Sequence, residues 1–126
     1  MSITILLIED NLSLLENASE IFELEGYKVL TATNGRKGIE LLTKYVPDVI
    51  ICDVMMSEID GHGVLTYVRS NPEIAHIPFV FLSAQSEKAD IQKGMQNGAN
   101  AFLTKPFESD ELLKIIKQQL MKIAAL

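Results

Sequence analysis

Short apolar segments alternate along the chain with polar segments whose apolar residues recur at helical spacing. Nearly continuous apolar runs at 3–8, 49–52 and 77–82 are typical of strands buried on both faces, as in the centre of a parallel sheet. Two further strands are predicted at 27–32 and 101–104. Five alternations of strand and helix predict an α/β domain with a parallel sheet and helices on both faces.

The segments between these strands predict five helices, each with one inward face. The predicted inward residues are, helix by helix, Leu15, Ala18 and Phe22; Ile39, Leu42 and Tyr45; Val64, Leu65 and Val68; Ala89, Ile91 and Met95; and Leu112, Ile115, Ile116, Leu120 and Ile123. The fourth helix, over 86–97, has few apolar residues and contains Gly94, which costs about 1 kcal/mol relative to alanine. We therefore expect it to be the loosest helix.

Charged residues follow three of the strands. Glu9 and Asp10 end the first strand, Asp53 ends the third, and Lys105 follows the fifth. In a flavodoxin-like doubly wound sheet of order 2-1-3-4-5, with five helices in three layers, the first and third strands are neighbours at the topological switch point. All four charged side chains would then lie at the carboxyl edge of the sheet, where such folds bind ligands.

Composition limits the partners and the compartment. The 126 residues suit one domain, 1–126, and the net charge of -6 argues against broad binding of nucleic acid. Cys52, the single cysteine, is predicted to be a core residue, and His62 and His76, which lack metal-ligand spacing, are placed on the surface. No apolar run approaches the roughly 18 residues of a membrane span, and the start lacks the basic region of a signal peptide, so a soluble cytoplasmic protein is expected.

The acidic residues point to metal-assisted phosphoryl chemistry. Three carboxylates and one ammonium leave the predicted site with a formal charge near -2, which calls for a cation, and Mg²⁺ prefers oxygen ligands. Such an ion would hold a phosphoryl group against Asp53, whose carboxylate would act as the nucleophile. Lys105 would balance charge on the phosphoryl oxygens, and Ser83 would donate a hydrogen bond to one of them.

Five sequence motifs in register resemble the receiver domain of two-component response regulators. The resemblance covers essentially the whole chain, and the motifs together are very specific although each alone is weak. They are Leu6-Leu7-Ile8-Glu9-Asp10-Asn11, Asp53-Val54-Met55-Met56, Asp60-Gly61, Leu82-Ser83-Ala84, and the segment 98–107 with Phe102 and Lys105-Pro106-Phe107.

The resemblance implies a role for each of these residues. Asp53 is expected to be the phosphoacceptor, receiving a phosphoryl group from a histidine kinase or a histidine phosphotransfer protein. Asp10, Asp53 and the Met55 backbone carbonyl would ligate Mg²⁺, and Glu9 would act through a bound water. Lys105 would contact the phosphoryl group, and its bond to the following proline is one that is usually cis in the family.

The same resemblance implies a conformational switch. Ser83 would move to the phosphoryl group while the Phe102 ring turns inward, which would reshape the surface of the fourth helix, fifth strand and fifth helix. That face is expected to meet a downstream protein or a fused output domain, and a homodimer is a further possibility. Ser57 stands where the family commonly has proline, so we expect more freedom in its loop.

Several alternatives stay open at this level. Asp10 and Ser83 could be ordinary cap or turn residues, and Phe102 could be plain core. The chain could be a degenerate receiver used for interaction or dimerisation, or an aspartyl-phosphate phosphohydrolase, although the latter normally has a second acid where this chain has Met55. A flavodoxin-like cofactor protein is disfavoured because Glu9 and Asp10 would repel a phosphate.

The last helix carries extra apolar residues beyond its inward face. These residues are Leu113, Met121, Ala124 and Leu126. As a hypothesis, this face meets a partner, another copy of the chain, or an output domain.

Overall fold

A computed structural model describes residues 2–84 and 87–124 of the chain. Its strands are β1 (Thr4–Ile8), β2 (Lys28–Ala32), β3 (Val49–Asp53), β4 (Phe79–Ala84) and β5 (Ala101–Lys105). Its helices are α1 (Leu12–Leu24), α2 (Gly35–Leu42), α3 (Gly61–Ser70), α4 (Lys88–Gln96) and α5 (Ser109–Ala124). Strands and helices alternate as the hydrophobic pattern predicts. None of the helices in the described ranges has the length and apolar character needed to cross a membrane.

The five strands form one parallel sheet in the order β2-β1-β3-β4-β5, which confirms the predicted doubly wound topology. β1 pairs with β2 on one side and with β3 on the other, so the first reversal of strand order lies between β1 and β3. Because all strands run in one direction, their carboxyl ends meet at one edge of the sheet. Glu9, Asp53 and Lys105 all lie at that edge.

Alternate residues of the central strands pack on opposite faces of the sheet. On β3, Ile50 and Cys52 belong to a core cluster with residues of α2 and α3, whereas Val49 and Ile51 belong to a cluster with α1 and α5. Each strand side chain therefore has a helix layer to pack against, which is why these strands contain almost no polar residues. Cys52 is fully buried, as predicted.

Three helices begin at a side-chain cap. Asn11, Asn34 and Asp60 accept hydrogen bonds from the backbone amides of Leu14, Lys37 and Gly63, at 3.1, 2.8 and 2.9 Å. These bonds satisfy amides that have no partner inside the helix. Capping of α1 thus falls to Asn11, and the carboxylate of Asp10 stays available.

The ends of α2 and β4 differ from the prediction in ways that change which residues are buried. Helix α2 ends at Leu42, so Tyr45 lies beyond it and is exposed, not inward. Strand β4 runs over Phe79–Ala84 instead of 77–82 because Ser83 and Ala84 still pair with β5, opposite Thr104 and Lys105. This register makes Ser83 part of the sheet.

The fourth helix is shorter than predicted and weakly anchored at its start. It begins at Lys88, and Ser86, the first residue of the predicted helix, lies outside the described residues. Glu87 at its N-cap position makes no side-chain capping bond, and only Ile91 and Gly94 of this helix are buried. The prediction that Ala89 and Met95 face inward is wrong, because both are exposed. These features agree with the expectation of a loose helix.

Arg69, near the end of α3, joins three segments at the amino-terminal edge of the sheet. Its guanidinium donates five hydrogen bonds of 2.7 to 3.0 Å, to the carbonyl oxygens of Ala75, Ile77 and Gly98 and to Oδ1 of Asn100. The same Asn100 oxygen accepts from the Phe79 amide at 2.8 Å. The end of α3, the start of β4 and the loop before β5 are thereby tied together.

Candidate functional site

Three carboxylates meet at the carboxyl edge of the sheet. Oxygen atoms of Glu9, Asp10 and Asp53 all lie within 4.8 Å of one another. Ile8 pairs with Cys52 in the β1–β3 register, so the next residue on each strand is a carboxylate. Glu9 and Asp53 are buried, at 1% and 5% exposed, whereas Asp10 is exposed. The predicted convergence of residues distant in sequence is observed.

Lys105 supplies the positive charge of this cluster. Its Nζ lies 2.7 Å from Oε1 of Glu9 and 3.3 Å from Oδ1 of Asp53. The Glu9 contact has the distance of an ion pair, although Oε1 accepts no well-aligned hydrogen bond. The other Glu9 oxygen accepts a hydrogen bond from the Asn11 amide at 3.0 Å. The peptide bond between Lys105 and Pro106 is cis, as predicted.

Burial and nearby negative charge change the pKa of Asp53, the candidate phosphoacceptor. Burial, followed by the negative charge of Glu9, raises the pKa of Asp53 to about 7, although Lys105 opposes the change. Burial alone would lower the pKa of Lys105, but Glu9 and Asp53 outweigh it and the net pKa is raised. One ammonium therefore does not balance the three carboxylates.

The donor set fits a hard divalent cation. All three groups offer carboxylate oxygens within a space one ion can bridge, and such ligands suit Mg²⁺ better than softer metals. A divalent ion would also offset the excess negative charge that raises the pKa of Asp53. The Met55 side chain is exposed, and the role of its backbone carbonyl stays a prediction.

Ser83 carries a buried hydroxyl without a hydrogen-bond partner. It lies on β4, which is the neighbour of β3, and it directly follows Leu82, the residue paired with Asp53. Buried hydroxyls are normally satisfied, so this orphan is notable at the edge where a phosphoryl group would arrive. The alternative that Ser83 is an ordinary turn or cap residue is wrong, because Ser83 lies within strand β4.

Phe102 is 44% exposed, which contradicts the alternative that it is a plain core residue. Its ring lines an apolar groove of about 480 Å³ between α4 and β5, together with Lys88, Ile91, Met95 and Thr104. An aromatic ring in this outward position has room to turn toward the sheet only if its neighbours rearrange.

Two supporting residues follow from the structure more clearly than from the sequence. A side chain at Gly61 would collide with the backbone oxygen of Asp53 and with Val54, so glycine lets α3 start directly against the end of β3. The Cys52 thiol donates to the Asp53 carbonyl at 3.3 Å. The Asp60-Gly61 motif was the only sequence signal for this close approach.

The placement of His62 on the surface is wrong. Its side chain is 13% exposed, and its ring packs on Phe81 with centroids 5.3 Å apart. His76 is exposed, as predicted. Position 62 falls on the flank of α3 that faces α4, and a histidine there reads as polar in any hydropathy pattern.

The fold is a doubly wound α/β sheet with an acidic cluster at its switch point, the place where such sheets bind ligands, and with the lysine that ends β5 reaching this cluster. The sequence model of the response regulator receiver domain matches residues 5–117. The chain belongs to the receiver domain family of two-component response regulators.

Curated relatives agree with this assignment. Response regulator Rre1 of Synechocystis is 34% identical over 95% of this chain and 52% of its own length. The DNA-binding dual master transcriptional regulator RpaA of the same organism is 34% identical over 94% of this chain and 49% of its own length. The chain thus spans about half the length of these relatives.

Solved structures are similar over nearly the full chain. Chemotaxis protein CheY4 of Vibrio cholerae has a TM-score of 0.90 and 30% identity, covering 95% of this chain and 100% of its own. The signal receiver domain of a signal transduction histidine kinase from Syntrophus aciditrophicus has a TM-score of 0.89 and 31% identity, covering 97% and 92%. The receiver architecture therefore occurs in proteins of different overall organisation.

Proposed function

We propose that this chain is a phosphorylation-operated switch in a two-component phosphorelay. In this proposal an oxygen of Asp53 attacks the phosphorus of a phosphohistidine on a histidine kinase or phosphotransfer protein. The new O–P bond forms as the N–P bond breaks, and the imidazole of the donor leaves with its electron pair. Residues 1–126 act as one receiver domain, placed in the cytoplasm with its kinase.

The observation that carries this proposal is the convergence of groups on Asp53. Its carboxylate ends a buried strand, lies 3.3 Å from the Lys105 ammonium, and is one strand away from the unsatisfied hydroxyl of Ser83. A phosphoryl group on Asp53 would bring oxygens that both Lys105 and Ser83 can bind. The Lys105 ammonium already lies beside Asp53, and the Ser83 hydroxyl has no other partner among the described residues to give up.

Glu9, Asp10 and Asp53, with the Met55 carbonyl, would hold Mg²⁺ in this scheme. Mg²⁺ held by these residues would reduce the repulsion between the Asp53 carboxylate and the incoming phosphoryl oxygens. Glu9 already engages Lys105 at 2.7 Å, so it would contribute mainly through a bound water. Asp10 is the exposed member of the cluster and is free to act as a ligand.

The switch would transmit the phosphoryl charge to the surface of α4, β5 and α5. Ser83 would rotate toward the phosphoryl group, and the outward Phe102 ring would turn inward and alter the groove that it lines. This surface would then engage a downstream protein, an output domain in the same protein, or a second copy of the chain. With a net charge of -6, the receiver itself is not expected to bind DNA.

The test is incubation with acetyl phosphate and Mg²⁺, followed by intact-mass measurement. We expect a gain of one phosphoryl mass in the wild type and none in Asp53→Asn. Omitting Mg²⁺ in the presence of a chelator should slow the gain by more than about tenfold. Asp48→Asn is the matched control, because Asp48 lies at the other end of β3 and accepts from the Thr4 amide.

A wild type that gains no mass and shows no spectral change with beryllofluoride would contradict the proposal. The chain would then be a degenerate receiver that works as an interaction module. Mass gain that persists in Asp53→Asn would instead move the phosphoacceptor to another residue.

A further inference from the structure

His62 has an unusual environment for a histidine. It is the second residue of α3, its side chain is largely buried, and both ring nitrogens are buried without a hydrogen-bond partner among residues 2–84 and 87–124. One ring face packs against Phe81 of β4. Buried polar atoms in folded proteins nearly always have a hydrogen-bond partner. The two unbonded nitrogens of His62 therefore point to a partner that they bind in another protonation state or conformation.

The charged group that faces this ring is on α4. Nε2 of His62 lies 3.7 Å from Oδ1 of Asp90, in the first turn of that helix. This distance is too long for a hydrogen bond but short enough for an ion pair when the imidazole is protonated. The imidazole is largely buried, whereas the Asp90 side chain is 44% exposed, so the pair lies at the edge of the α3–α4 contact.

The other charged groups near the junction are oriented differently. Glu87, just before α4, has a buried carboxylate oxygen without a partner, and it adds negative charge at the same helix end. Lys88 points into the outward groove beside Phe102. On α3, Asp60 is occupied in capping the helix through Gly63. The strand between them contributes only the neutral ring of Phe81.

The two ends of α4 are held very differently. After its last turn, the carbonyl of Gly98 accepts two hydrogen bonds from Arg69, at 3.0 and 2.9 Å. At its start there is no side-chain cap, and the contact of Asp90 with His62 is an ion pair only when the ring is charged. A helix held at one end can pivot at the other.

We infer that His62 is a positioning residue for the switch: its imidazolium pairs with Asp90 and holds the first turn of α4 in the arrangement described above. This inference rests on the proposed function. Protonation of His62 then opposes the rearrangement that a phosphoryl group on Asp53 drives. By reciprocity, the phosphorylated state must weaken proton binding to His62 by the same factor.

The chain contains two histidines, so NMR can follow each imidazole separately while pH is varied. Adding Mg²⁺ and beryllofluoride should move the titration midpoint of His62 to lower pH by an amount equal to about a fivefold change in proton affinity. The exposed His76 is the internal control and should not move. In Asp90→Asn, the His62 midpoint of the free protein should already be lower, and beryllofluoride should shift it no further.

The reciprocal measurement is beryllofluoride affinity. Between about pH 8 and pH 5.5, the affinity of the wild type should fall about fivefold more than that of His62→Gln. His76→Gln should behave as the wild type. The comparison between variants removes the pH dependence that comes from Asp53 itself.

The inference is overturned if the His62 midpoint ignores beryllofluoride, moves together with that of His76, or is unchanged in Asp90→Asn. Failure of beryllofluoride to perturb any resonance would instead overturn the proposed function, and the switch role of His62 with it. In that case, a lower titration midpoint of His62 in the Asp90→Asn variant without beryllofluoride would show that the ion pair exists, but not that it affects the switch.

Discussion

Arg69 and Lys105 are partly buried cations at opposite edges of the same sheet, and their surroundings differ in kind. Arg69 donates five hydrogen bonds to neutral oxygens, each 3.0 Å or shorter. Lys105 faces two buried carboxylates at 2.7 and 3.3 Å, within a cluster of three acids. At the Arg69 edge, the guanidinium is fully hydrogen-bonded. At the Lys105 edge, a single ammonium faces more carboxylates than it can neutralise.

This difference indicates that the Arg69 edge stabilises the fold, whereas the Lys105 edge is the candidate functional site. A fully bonded guanidinium gains nothing from moving, so the Arg69 edge provides a fixed frame. At the Lys105 edge, burial and Glu9 raise the pKa of Asp53 to about 7, and groups with perturbed pKa values gather where function requires them. Both residues are simply cations in the sequence, and their roles differ because the groups around them differ.

The largest effect on stability is expected at Arg69. Arg69→Met leaves several backbone oxygens without their charged donor and should lower the free energy of unfolding by about 3 kcal/mol. Urea unfolding measures this loss. The control is Arg36→Met, because Arg36 is exposed and makes only ion pairs of 3.8 and 3.9 Å, which contribute little. Equal losses in the two variants would deny Arg69 its structural role.

Lys105→Met should reduce stability less, by about 2 kcal/mol at neutral pH, because Asp53 can bind a proton when its partner is removed. Added Mg²⁺ should restore part of the loss by balancing the carboxylates. Phosphorylation by acetyl phosphate should fall far more than in the Arg69 variant studied under folding conditions. Lys117→Met, which breaks an exposed pair with Glu25, is the control. A loss insensitive to Mg²⁺ would contradict this account.

Asp53→Asn should stabilise the metal-free protein at pH 8, because it removes a buried carboxylate that is charged at that pH. The folded pKa of Asp53 is raised from 3.8 to about 7, so the folded state binds more protons than the unfolded state between these values. Wild-type stability from this group is therefore highest at low pH, falls as pH rises through that window, and is level above it.

The gain in Asp53→Asn should accordingly appear between about pH 4 and pH 7 and stay constant above. Urea unfolding over a pH series with a chelator gives the profile. Asp110→Asn, on the exposed first turn of α5, should show no such window. A gain already complete at pH 4 would mean that burial does not perturb Asp53.

The smallest effect on stability is expected for Ser83→Ala, since its hydroxyl has no partner to lose. The free energy of unfolding should change by less than about 0.5 kcal/mol, whereas affinity for beryllofluoride should fall about fivefold or more, because a hydroxyl that donates to an anion is lost. Ser19→Ala, on the exposed face of α1, is the control for both measurements. A large stability loss would show that Ser83 is bonded in the free protein.

The hydrophobic pattern predicted the class of fold, and the positions of the charged residues at the strand ends predicted which of them meet at one edge of the sheet. Continuous apolar runs at β1, β3 and β4 require helices on both faces, and charges at their carboxyl ends must share one edge. The sequence therefore predicts that Glu9, Asp53 and Lys105 lie together. The capping residue Asn11 was harder, because its neighbour Asp10 has the same preference for that position.

Other features depend on tertiary packing and could not be derived from local pattern. The β4–β5 register decides that Ser83 is a buried strand residue, and the outward pose of Phe102 depends on its α4 neighbours. His62 appears polar and exposed along the chain, yet the approach of α4 covers it. Arg69 resembles any helical surface arginine until the loops around it supply four oxygen acceptors.

The physical reason for this division is the range of the interactions involved. The burial of apolar side chains follows the hydrophobic periodicity, which is a local property of the sequence. The strands, the helices and the sheet edge that carries Asp53 can therefore be predicted from the sequence. Hydrogen bonds and ion pairs act over about 3 Å, so the partners of Lys105, Arg69 and His62 are decided only when distant segments pack together.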